Sequence, residues 1–195
     1  MEISVQNIIL KGVLDLPGKS ESMVVFAHEL GDGRLSDKTF RVAKDLRSAG
    51  VGTLLFDLLT EGEAKKSENR FNIEIMTERL IAVSKWCLEN DKTKSLKLGY
   101  YGAGIGSTAA LSSAAYWGTK IKALVSKGGR PDLAMEVLDL IEAPSLFIVG
   151  GEDKQLIDFN KQAYQKMGCV KKMEIVPVGM EKISELTIAW FAKYL

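Results

Sequence analysis

Residues 96–111 read LKLGYYGAGIGSTAAL and hold three closely spaced glycines, Gly102, Gly104 and Gly106. An apolar, aromatic run enters the glycines and a run of small residues leaves them. That order spells a buried strand, a sharp turn and a helix N-terminus. Two chemistries use such a turn. A nucleophile elbow, G-x-S-x-G, lifts a hydroxyl above a sheet, and here Gly104 stands where the serine would be. A dinucleotide fingerprint, G-x-G-x-x-G, cradles a pyrophosphate, and here Ser107 takes the third glycine's place. A plain strand-to-helix turn does neither.

Other groups able to do chemistry are sparse. His28 is the single histidine, and it follows the apolar run 23–27 directly in the loop His28-Glu29-Leu30-Gly31. Asp57, Lys127, Arg130, Asp153 and Glu181 also follow short apolar runs. Cys87 and Cys169 are the two cysteines, too few and too far apart for a disulfide framework or a metal site. They suit a reducing compartment, so the expected location is cytoplasmic. Neither a cofactor nor a metal is called for.

Charge narrows the partners. The 195 residues carry 26 basic and 25 acidic side chains, a formal net charge of +1. That balance argues against nucleic-acid or membrane-surface binding and leaves a small-molecule ligand as the expected partner. The N-terminus MEISVQNIIL has Glu2 and no basic segment, so it does not read as a signal peptide. No apolar run approaches membrane-spanning length.

The elements that must position these groups follow from the pattern. Residues 3–16 alternate apolar and polar around Lys11-Gly12 and read as a pair of edge strands or a hairpin. Residues 23–27, 51–56, 96–101, 121–125, 145–149 and 173–176 read as strands, the first of them an unbroken apolar run buried on both faces. Helices are expected over 36–49, with Ser36 as cap and Phe40, Val42, Ala43 and Leu46 on one face. Further helices are expected over 73–88, 107–116, 134–140, 157–167 and 183–194. The polar stretch 58–70 reads as a long surface loop. Strand and helix alternate from Met23 onward, which predicts one α/β domain over residues 1–195. It is a three-layer sandwich around a mostly parallel sheet with antiparallel N-terminal edge strands. In such a sheet the strand ends share one edge, where any site is assembled.

The dinucleotide reading needs an acid at the end of the next strand to hold the ribose. Strand 121–125 is followed by Ser126-Lys127 instead. The elbow reading fits the order of parts along the chain: an early loop of oxyanion donors, the elbow, an acid, then a base. The segments VVFAH (24–28), GVGTLLFDLLTEGE (50–63), GYYGAGIGSTAAL (99–111), SKGGRPDLA (126–134), APSLFIVGGEDKQLI (143–157) and IVPVGMEKI (175–183) resemble the dienelactone-hydrolase-like branch of the α/β-hydrolase superfamily. The resemblance covers nearly the whole chain. It implies that Asp153 is the triad acid, Gly104 the nucleophile position and Glu181 the histidine position. It also implies that His28, Glu29, Ala103, Ile105 and Arg130 border the ligand.

The departures define the expected function. Serine or cysteine is replaced by Gly104, and histidine by Glu181. The oxyanion loop reads His28-Glu29 where the family has His-Gly. Acyl transfer needs an attacking atom, a base for its proton and donors for the oxyanion. Gly104 supplies no attacking atom, and no histidine follows His28. The expectation is a catalytically degenerate hydrolase relative acting as a small-molecule binding or regulatory module. The alternatives are a hydrolase of a small ester or lactone, its water activated by Glu181 or Asp153, and a nucleotide-binding protein. Glu29, Asp153 and Glu181 are expected to crowd one pocket mouth, with Lys127, Arg130, Lys154 and Lys182 available to neutralise them.

Overall fold

The structure is a computed structural model that describes residues 1–5, 7–28, 37–177 and 180–195, apart from the side chains of Asp37, Lys38, Arg70 and Met180. Eight strands form one sheet: β1 (Glu2–Val5), β2 (Ile8–Asp15), β3 (Ser22–Ala27), β4 (Gly52–Phe56), β5 (Lys97–Ala103), β6 (Ile121–Lys127), β7 (Ser145–Gly150) and β8 (Lys171–Val176). Their order across the sheet is β1-β2-β4-β3-β5-β6-β7-β8. Strands β3 to β8 run parallel, while β1 and β2 pair antiparallel at one edge. The carboxyl ends of β3 to β8 therefore share one edge, as the alternating pattern requires.

Alternation along each strand builds two cores. In β3, Met23, Val25 and Ala27 face one helix layer, and Val24 and Phe26 face the other. All six β3 residues are buried, which is why the run is apolar without a break. The first layer holds α3 (Ile73–Glu89), α4 (Ile105–Trp117) and α5 (Lys154–Lys166), joined to the sheet through Met76, Leu80, Val83, Leu111 and Ala163. The second holds α1 (Asp37–Ser48) and α6 (Met180–Tyr194), which contribute Val42, Ala43, Leu46, Ile183, Trp190 and Phe191. Sheet and two helix layers make the three-layer sandwich.

Four expectations need correction. The turn of the N-terminal hairpin falls after β1, and β2 runs straight through Lys11-Gly12. A Cβ on Gly12 would lie 2.9 Å from Ile3 Cδ1, so this glycine serves close strand packing rather than a turn. Phe40 does not join its neighbours in the core: it is 42% exposed, beneath the Arg47 guanidinium at 5.3 Å. The stretch 58–70 is not a plain loop. Leu58 and Leu59 are buried, and α2 (Glu61–Ala64) and a 3₁₀ turn (Ser67–Phe71) follow. The spacing Thr60-x-x-Glu63 is a capping box: Glu63 N–H donates to Thr60 Oγ1 at 3.3 Å, and Thr60 N–H donates to Glu63 Oε2 at 2.8 Å. The expected helix at 134–140 is instead a 3₁₀ segment over Pro131–Leu140, with non-helical dihedrals at Ala134. The Ser36 cap lies outside the described residues.

Glu63 also ties this segment to α3, because the Arg79 guanidinium donates to Glu63 Oε1 at 2.9 Å. Partial burial raises the affinity of the carboxyl for its proton. The Thr60 N–H, the Arg79 guanidinium and the Thr60 hydroxyl together outweigh it, so the group titrates below its ordinary value of 4.5. The folded state thus holds this proton more weakly than the unfolded chain. Its stabilisation is complete above pH 4.5 and is lost as pH falls through the lowered folded value. Thermal melts of wild type and Glu63→Gln should therefore differ most near neutrality and converge in acid. Leu55 and Ile148 are 2% and 1% exposed in central strands. Truncating either to alanine should destabilise by about 2–5 kcal/mol in urea unfolding.

Candidate functional site

The glycine turn is assembled by close main-chain contact. β5 ends at Ala103, α4 begins at Ile105, and Gly104 between them sits at φ 55°, ψ −129°. Side chains rarely adopt that positive φ, whereas glycine does so freely. The Gly104 N–H donates to Lys127 O at 3.0 Å, which fastens the turn to the end of β6. A Cβ on Gly102 would lie 2.5 Å from Ser107 Cα, so the first turn of α4 folds directly over β5. A Cβ on Gly106 would lie 2.3 Å from Ala27 O and 3.0 Å from His28 N. The helix start is therefore pressed against the end of β3, and His28 stands beside the turn, 2% exposed.

A second loop locks in from below. A Cβ on Gly129 would lie 2.3 Å from Ser107 Cβ. Ser107 is fully buried against this loop and presents no nucleophile to solvent. Asn160, buried on α5, donates from Nδ2 to Gly129 O at 3.1 Å and to Leu156 O at 2.8 Å. The Thr108 hydroxyl donates to Arg130 O at 2.9 Å. Sequence reading missed Thr108 and Asn160 as loop supports. The available signal was a polar residue on the inward face of each helix.

The remaining expected site residues fall around this core in different ways. Ala103 and Ile105 flank Gly104 and are half-buried. Asp153 follows β7 and caps α5, its Oδ1 accepting the Leu156 N–H at 2.9 Å. Arg130 follows β6, stacks 4.5 Å above the Phe159 ring and donates to both Asp132 oxygens, at 2.9 and 2.7 Å. That hydrogen-bonded carboxylate strengthens the guanidinium's hold on its proton, with Asp153 adding to the same field. Glu181 opens α6 with its side chain 96% exposed, 3.8 Å from the Arg41 guanidinium. Lys182 pairs with Glu185 at 3.0 Å. Glu29 lies outside the described residues. Among the described residues no three His, Cys, Asp or Glu side chains gather in a way that could hold a metal ion.

Strand order 1-2-4-3-5-6-7-8 with a positive-φ turn after β5, packed between the ends of β3 and β6, defines the α/β-hydrolase fold. The esterase Est1E of Butyrivibrio proteoclasticus shares it at 14% identity and a TM-score of 0.86, over 99% of this chain and 97% of that one. A dienelactone hydrolase of Anabaena variabilis is far nearer: 37% identical, TM-score 0.97, over 100% of this chain and 96% of that one. The chain belongs to the dienelactone-hydrolase-like branch of the α/β-hydrolases. It is also 39% identical over 193 residues to two Mycobacterium tuberculosis proteins provisionally named phosphoribosyl transferases. That match takes in 94% of this chain but only 44% of the relatives' length. No family model matches the chain. No helix among the described residues is long and apolar enough to cross a membrane.

The contacts at Gly106 generate a direct test. A methyl group there would overlap the main chain of β3, which cannot retreat as a flexible side chain would. Gly106→Ala should destabilise by about 1–3 kcal/mol, measured by chemical unfolding.

Proposed function

We propose that this chain is a catalytically silent member of its family, a binding or regulatory module whose elbow frames a ligand pocket instead of delivering a nucleophile. The observation that carries this reading is Gly104: the main chain has an elbow's positive-φ turn, and no side chain stands on it. An acyl-enzyme needs a nucleophilic atom at that point. It also needs a base, and no histidine follows His28 in the sequence. When triad members act as a unit, removing them lowers turnover on the order of 10⁶-fold. Asp153 and Glu181 are engaged in a helix cap and a solvent-side ion pair, which supports the same conclusion.

The elbow still opens onto the N-terminus of α4, whose dipole favours a hydrogen-bond acceptor. A small carbonyl or carboxylate compound suits it better than a cation. In the mycobacterial relatives, a segment like this chain shares a longer polypeptide with other sequence under a transferase name. That supports a module serving a neighbouring phosphoribosyl-transfer activity through binding rather than hydrolysis. The free thiols Cys87 and Cys169 fit a reducing, cytoplasmic setting.

The protein should hydrolyse p-nitrophenyl esters no faster than a heat-denatured control, and should not label with a fluorophosphonate. Gly104→Ser alone should remain silent, because nothing would take the hydroxyl proton. Stoichiometric labelling of any serine in the wild-type protein would overturn the proposal.

A further inference from the structure

β8 closes the strand order, and among the described residues no strand pairs with its outer edge. Its bonds to β7 fix which main-chain groups face outward. Gly151 N–H donates to Val176 O at 3.0 Å, and Ser145 N–H donates to Val170 O at 2.9 Å. The even-numbered residues thus turn their main chain toward β7. In a pleated strand the odd ones, Lys171, Met173 and Ile175, turn theirs outward. Side chains alternate as well. Lys172 and Glu174 share one face and form an ion pair at 2.6 Å. On the other face the Lys171 ammonium lies 4.9 Å over the Tyr164 ring, and Ile175 is 50% exposed.

Free strand edges recruit other chains unless something repels them, and lysine is a common guard. Here Lys172 has an acid two residues further on. We propose that the β8 edge joins two copies of this chain, antiparallel, about a two-fold axis through Met173. Such an interface is isologous and closes at two subunits. Met173 then faces its counterpart as a hydrogen-bonded pair, and Lys171 faces Ile175 of the second copy on either side. Lys172 faces Glu174 of the second copy at a non-hydrogen-bonded position, where Cα atoms approach to about 4.5 Å and side chains meet most closely. The ion pair within each chain becomes one half of an alternating four-charge network across the axis.

The charges also select the register. Centring the axis on residue 172 sets Lys172 against itself, and centring it on residue 174 does the same to Glu174. Like charges directly opposite are unfavourable, so of these three registers the central one is satisfied. Val170, 57% exposed just before β8, comes to lie opposite Val176 of the second copy. The edge is six residues long, so the contact belongs to the small, reversible class of interfaces.

Sedimentation velocity over about 1 to 500 µM protein should show a concentration-dependent dimer with a dissociation constant on the order of micromolar. Glu174→Lys and Lys172→Glu should each weaken association about tenfold or more, and the combined exchange should recover it. Thermal melts at low protein concentration should be unchanged in all three variants, separating lost pairing from lost folding. Monomer at every concentration would overturn the proposal. So would a dimer indifferent to the single variants, which would place the contact on another face, or a double variant that stays weak.

Discussion

Lack of room for a single carbon atom at Gly102, Gly106 and Gly129 is the constraint on which the edge of this sheet depends. At each position a Cβ would come within 2.5 Å of another residue: main chain at Gly102 and Gly106, and the Ser107 side chain at Gly129. Through these contacts the start of α4 rests on the end of β3, and the loop after β6 rests on α4. Thr108 and Asn160 then hold that loop by hydrogen bonds to its carbonyls. A buried loop needs such partners, since unpaired carbonyls would oppose folding. The scaffold around the turn is thus maintained by packing and hydrogen bonds alone.

That separation means the architecture does not depend on which side chain stands on the turn. The elbow's φ and ψ are set by the strand-to-helix crossing and by the bond from Gly104 N–H to Lys127 O. None of this requires a hydroxyl. Likewise, the carboxylate of Asp153 finds local use as the cap of α5, a role that stabilises a helix with or without an imidazole nearby. Glu181, at the start of α6, faces water and meets Arg41. Exposed pairs of this kind contribute little to stability.

Much of this was legible in the sequence, for reasons that can be named. Central strands such as β3 are buried on both faces, so their apolar runs are unambiguous. Gly102, Gly104 and Gly106 marked the turn because only glycine tolerates both close approach and positive φ. The misread places share a cause: local composition concealed a tertiary demand. Lys11-Gly12 resembled a turn because the close approach of Ile3 is invisible along the chain. The charged run after Leu59 resembled a loop because its capping box spans one short turn of helix. Thr108 and Asn160 were overlooked because their carbonyl partners, Arg130 and Gly129, lie far from them in sequence.

The dihedral pair at Gly104 makes exchange of residues at that position asymmetric. A serine held at φ 55° stores backbone strain on the order of 1–3 kcal/mol, which the surrounding fold must offset. Glycine at the same place releases that strain and leaves the neighbouring contacts intact. Passage from serine to glycine is therefore downhill in folding free energy, and passage back is uphill. In a protein stable by only about 5–15 kcal/mol, that difference is a sizeable fraction of the total. A side chain placed at Gly104 would therefore demand stabilisation elsewhere in the fold to offset its strain.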